Sequence, residues 1–355
     1  MKKFSLYIAF VLLLLKEAFV SSVVMSGITD FRKNKSTLNG SNLEKKEIVE
    51  GINTDKVKVS KENHIHKMSI ANKPCITVRD GARLVLECWD ALEGRSKEYF
   101  ENKTPYPEIF PNANPATGPI YIEGSLPGDA LEIEIHSMRL SKSGFIQLMK
   151  NQFVESTDKE YVYIETEVVG RQILYNGRKM PVEPMIGVAG TAGLQEIWCQ
   201  ETGDNGGNMD CRIVKEGSKI LLPVFTEGAL LALGDIHAVM GDGEVFGQGV
   251  EIGAVVEITV KVRKDLKIQR PLIINDDRIA CIASNRDILK ATDHVKTDMG
   301  RFLVEYYGFS SVDAATLIAF YGNLHFCQIV NPQKTVRMEI EKRYMNFFEH
   351  KTLHF

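Results

Sequence analysis

Six cysteines are spread through the chain, and no two of them form a C-x-x-C pair. That spacing excludes a zinc ribbon and a thioredoxin-like redox motif. No basic patch alternates with aromatics, and the formal net charge is only −3, so nucleic-acid binding has no electrostatic footprint. No G-x-S-x-G elbow occurs, which removes the strand-turn-helix presentation of a serine nucleophile. The longest apolar run, Phe4 to Leu15, is broken by Lys16-Glu17 and falls short of the ~18 residues that a membrane helix requires. No internal repeat is strong enough to indicate a solenoid or propeller.

What remains is an ordinary globular composition on 355 residues, long enough to bury a sizeable core. Lys2-Lys3, the apolar run and the small residues Ser21 and Ser22 read as a secretory signal over residues 1–25. A secretory or secreted location follows, with a cytoplasmic one as the alternative. Residues 26–65 are rich in Lys, Asn, Ser and Glu and read as a poorly ordered spacer. Within the next stretch, His64 and His66 alternate and would share one face of a strand. They could chelate a metal, but an exposed strand start explains them as well.

The body, residues 66–345, reads mostly as strand. Arg83-Leu-Val-Leu-Glu-Cys and Ala130-Leu-Glu-Ile-Glu-Ile-His alternate with period two, and Pro127-Gly128-Asp129 marks a turn between strands. Asp287 to Tyr307 instead carries Ile288, Val295, Met299 and Leu303 at helical spacing. Ser310 with Asp313 opens a second helix through a capping box. The expected class is therefore β-rich α+β: two packed sheets, sandwich-like, with two late helices. Two strand-rich halves would divide near residue 203. Cys75, Cys88 and Cys327 sit in strand-like runs and read as buried thiols. A Cys199–Cys211 bridge is a lesser possibility, to be decided by geometry.

The densest chemistry lies between Gly203 and Glu251, where Asp210, Asp235, His237, Asp242, Glu244 and Glu251 are crowded among glycines. Glycine lets a backbone approach a small ligand closely. Carboxylates beside a histidine bind metals or move protons. Each Asp after a glycine could instead cap a turn; the whole set is harder to explain that way.

Several stretches resemble the acetamidase/formamidase family. They are Asn114-Pro-Ala-Thr-Gly-Pro-Ile-Tyr-Ile-Glu-Gly, Pro184-Met-Ile-Gly-Val-Ala-Gly, the Gly206 to Glu251 run, and Cys327-Gln-Ile-Val-Asn-Pro-Gln-Lys-Thr. The resemblance runs in order from about Ile70 to Ile340. It implies hydrolysis of a short aliphatic amide, a homodimer or larger homo-oligomer, and a divalent metal, zinc with calcium as the alternative. Asp210, Asp235, His237 and Glu251 would hold the metal. Glu244, Asp242 and Glu123 would move protons, and Gly206, Gly207 and Asn208 would bind the substrate oxygen. A Ser-Ser-Lys amidase signature is not evident. The chain departs from the family at Asn205, where members carry histidine, at Gly193, and after Trp89-Asp90. The competing expectation is a catalytically impaired relative that binds a small ligand or a partner.

Overall fold

The computed structural model describes residues 56–149 and 161–351. The signal-like segment and the spacer up to residue 55 lie outside the described residues, so neither expectation is addressed by the fold. Among the described residues no helix is long and apolar enough to cross a membrane.

The class is β-rich α+β, as the strand patterns indicate. Among the described residues nineteen strands join in one hydrogen-bonded network, with a separate two-stranded ribbon. The two expected sheets are thus continuous with each other. The division near residue 203 also disappears, because strands from the two halves interleave. Leu231–His237 lies between Met185–Gly190 and Ala116–Ile122, antiparallel to both. Glu251–Arg263 lies between Arg83–Cys88 and Ala130–Met149. Its alternating Ala254, Val256, Ile258 and Val260 are buried in the main core, as period-two patterning requires.

The ordered body begins before residue 66, a correction to the spacer boundary. Val57–Val59 pairs in parallel with Arg83–Cys88, and His64–Ile65 pairs with Ala116–Thr117. The short Val-Lys-Val alternation buries Val59 against the core, a signal masked by the charged residues around it.

The late helices form as the spacing predicts. Ile288–Tyr307 starts at Asp287, whose side chain accepts from the Leu289 N–H, and stops at Gly308, in the left-handed region. Gly308 supplies the αL conformation that a C-terminal cap needs. Ala291, Val295, Met299, Phe302 and Leu303 pack this helix onto Arg278–Asn285 and Lys334–Glu341, forming a second core. Ser310 accepts from the Asp313 N–H and opens Ser311–Tyr321. Short helices at Ser96–Glu101, Tyr106–Ile109 and Lys342–Met345 were not anticipated; four to six residues are too few to show helical periodicity.

All described cysteines are free. Cys199 donates to the Ile65 carbonyl at 3.4 Å, while Cys211 contacts Cys327, so the Cys199–Cys211 bridge does not exist. Cys75 is exposed rather than buried.

Candidate active site

The centre of the sheet delivers the acids. Every residue of Leu231–His237 is buried, and the strand ends on Asp235, Ile236 and His237. Glu251 opens the neighbouring strand directly opposite His237. Asp210 follows the Gly206–Asn208 strand, and its N–H donates to the Gly187 carbonyl at 3.2 Å. Glu244 comes from the loop after His237. That loop is anchored by Gly243, which donates to the Cys327 carbonyl and accepts from the Ile329 N–H, both at 3.1 Å.

These five groups are almost sealed: Asp210 is 0% exposed, His237 1%, Asp235 2%, Glu251 4% and Glu244 6%. His237 Nε2 lies 3.2 Å from Glu251 Oε1 and 3.7 Å from Asp235 Oδ1. Two triads share the histidine, Asp210–His237–Glu244 and Asp235–His237–Glu251, with ligand atoms in each within 4.8 Å. Both oxygens of Asp210, Asp235 Oδ1, Glu251 Oε2 and His237 Nδ1 are buried with no hydrogen-bond partner. A buried polar atom left this way is costly, and a bound cation would satisfy several at once. The donor set, carboxylates with one imidazole, suits a hard or borderline divalent ion.

The backbone is strained at the same place. Asp210, Asp235 and Glu244 all have positive φ, at 46°, 55° and 45°. Such conformations cost about 1–3 kcal/mol each and persist only where the surroundings impose them. Gly187 explains part of the design. A Cβ there would stand 2.7 Å from both Asp210 Oδ1 and Asp235 Oδ2, so glycine leaves room for two carboxylates to converge.

Electrostatics pull the protons apart. Burial pushes the Glu244 carboxyl up to about 7, against the attraction of His237. Burial likewise raises Glu251 to about 8. Asp210 is held well above the usual carboxylate range by burial and then by Glu244 and Asp235. Burial opposes charge on His237, yet Glu251 and Asp235 hold it well above its ordinary value.

Four residues assigned from the sequence do not take those roles. Asp242 is two residues from Glu244 but faces away, taking a two-pronged contact from Arg337 at 2.7 and 2.8 Å. Glu123 is exposed beyond the far end of Ala116–Ile122, the strand whose opposite end, Ala116, pairs beside Asp235. Gly206 and Gly207 lie in a strand with partners on both edges, which occupies their backbone groups. Their glycine requirement comes from packing: a Cβ on Gly206 would sit 2.3 Å from the Ala189 carbonyl oxygen. Asn208 remains available, buried with a partnerless Oδ1.

Asn114 was missed as a positioning residue. Its Nδ2 donates to Asp235 Oδ2 at 2.9 Å from a backbone with φ of 50°. Asn205, the departure that suggested lost activity, donates to the Thr191 carbonyl at 2.6 Å. That bond braces the loop, and Gly193 leaves space for it, since a Cβ there would meet the Asn205 amide at 3.0 Å.

A family model described as Acetamidase/Formamidase matches residues 195–313, the segment that carries all five acid-cluster groups. The solved structure of a recombinant predicted acetamidase/formamidase from the thermophile Thermoanaerobacter tengcongensis superposes with a TM-score of 0.77 at 34% identity, over 82% of this chain and 98% of that one. The chain belongs to the acetamidase/formamidase family. A Bacillus halodurans acetamidase structure is similar to the same degree, with a TM-score of 0.76 at 34% identity over 82% of this chain and 99% of its own. The acetamidase of Mycolicibacterium smegmatis is 52% identical over 42 residues, 12% of this chain and 10% of that protein. The sequence match thus spans about a tenth of that curated family member.

Proposed function

We propose that this family member hydrolyses a short aliphatic amide to a carboxylate and ammonia at the acid cluster. The observation that carries this reading is the convergence of five buried titratable groups, three on strained backbone, in a chain of this family. Perturbed, unpaired groups of this kind mark catalytic sites more often than structural ones.

The two triads divide the work. Asp235, His237 and Glu251 would hold a divalent metal, which when bound polarises the amide oxygen and acidifies water. Asp210 and Glu244, in mutual contact, form the proton-handling pair. At neutral pH Glu244 is poised between its two states, the condition for efficient general acid–base catalysis. It takes a proton from water as the oxygen attacks the carbonyl carbon. It then returns that proton to the amine nitrogen as the C–N bond breaks. Asn208 Oδ1, buried without a partner, would accept from the amide nitrogen, and Asn114 would keep Asp235 oriented.

The test is ammonia release from formamide and acetamide by wild type and Asp235→Asn, each with and without a chelator. Release that falls at least about 100-fold in the variant is expected. Turnover that survives Asp235→Asn would contradict the assignment. A ligand-binding relative without activity would release no ammonia under any condition.

A further inference from the structure

A second convergence lies outside the acid cluster, in the His-Ile-His stretch. His64–Ile65 pairs with Ala116–Thr117, and the alternation turns both rings to one side. The rings meet edge to face with centroids 5.1 Å apart. Glu93 completes the group from a separate loop: its Oε1 is 3.2 Å from His64 Nε2 and 2.9 Å from His66 Nε2. No sequence spacing links Glu93 to the histidines.

The loop is built to present that carboxylate. Glu93 sits at φ 55°, in the left-handed region. Asp90 Oδ1 holds the turn by accepting from the Leu92 and Gly94 N–H groups, both at 2.9 Å. The Lys61 ammonium stands 3.3 Å from the centre of the Trp89 ring and ties the loop to the histidine stretch.

Both rings present Nε2 to one carboxylate oxygen. His64 Nδ1 is 2.8 Å from the Lys61 carbonyl. A carbonyl only accepts, so Nδ1 carries a proton and Nε2 is the nitrogen that faces Glu93. His66 turns its Nε2 to the same Glu93 oxygen, so one carboxylate oxygen and two imidazole nitrogens converge from two separate segments. A tetrahedral zinc site with bonds of about 2.0–2.1 Å places its ligand atoms about 3.3 Å apart, close to the spacing found.

We propose that His64, His66 and Glu93 form a binding site for a zinc-class transition metal, separate from the acid cluster. Two imidazoles and one carboxylate are the donor set such metals favour. The side chains are 20–25% exposed, which leaves a fourth position for water or a small ligand. The site is joined to the acid cluster by consecutive residues. Ala113 lies against the His66 ring, and Asn114 holds Asp235.

The test loads the full chain with zinc chloride, removes excess by gel filtration and measures bound zinc by atomic emission. His66→Gln and Glu93→Gln are compared with Asp235→Asn, and thermal unfolding of each chelated protein checks its fold. The expected result is that either of the first two variants loses about one equivalent of zinc that Asp235→Asn retains. Cobalt loading should give tetrahedral visible bands in wild type that Glu93→Gln lacks. Equal zinc in wild type and Glu93→Gln, or no zinc retained by wild type, would overturn the site. Amide hydrolysis is scored separately, so loss of the proposed activity leaves this readout intact.

Discussion

Asp242 and Glu244 are two residues apart and carry opposite kinds of charge, the first half-buried and paired, the second buried in a group of unpaired atoms. Asp242 faces Arg337, which also meets Glu339, and Glu339 is bonded in turn to Arg278 at 2.6 Å. Every acid in that network has a guanidinium. Glu244 belongs to a group of four acids and one histidine in which five polar atoms have no partner. Sequence crowds the two acids equally; pairing and burial separate them. A buried charge that is paired belongs to the scaffold. A buried charge without a partner is a cost that the fold would discard if nothing used it.

The sharpest way to break this comparison is to neutralise each acid in turn. Glu244→Gln should lower kcat for ammonia release by about 10²–10⁴-fold. Asp242→Asn should keep kcat within a few-fold of wild type while lowering the unfolding midpoint in denaturant. Equal losses of kcat in the two variants would erase the distinction. The next largest effect concerns the scaffold network. Arg337→Met strands Asp242 and leaves Glu339 with Arg278 alone, and should cost about 1–3 kcal/mol in urea unfolding; a neutral result would mean that the network is not structural.

Gly187→Ala probes the convergence itself. Its methyl would meet Asp210 and Asp235, so a loss of about 1–3 kcal/mol is expected, together with reduced turnover. Stability and activity both unchanged would show that the carboxylates do not need the space. The smallest effect should come from Asp210→Asn. Removing an acid whose charge burial already opposes should leave Tm unchanged or raise it by about 2–4 °C. A fall of that size would mean that Asp210 is paired after all.

Much of the fold was legible because alternation and helical spacing are local. The Ser310 cap was readable from the Ser310–Asp313 pair, and Arg83–Cys88 from its period of two. The full length of Ala130–Met149 was not. Ser141, Lys142, Ser143 and Gly144 interrupt its pattern, and the strand continues because partners on both sides supply its hydrogen bonds. The membership of the acid cluster was legible from residue type and glycine content. Its division was not: Asp242 turned to an arginine 95 residues away, and Gly187 and Asn114 matter only through contacts made after folding. Gly206 and Gly207 misled because close backbone packing and ligand approach demand the same residue.

The measurement that tests the central claim most directly is kcat/KM for formamide as a function of pH, from about 5 to 9, which reports ionisations of the free enzyme. Glu244 must be ionised to accept a proton from water, and its folded value is about 7. The rate should therefore rise with pH through about 7 and level off above it, with the rising limb lost in Glu244→Gln. A profile that is flat across that range in wild type, or a rising limb that persists in Glu244→Gln, would contradict the assignment.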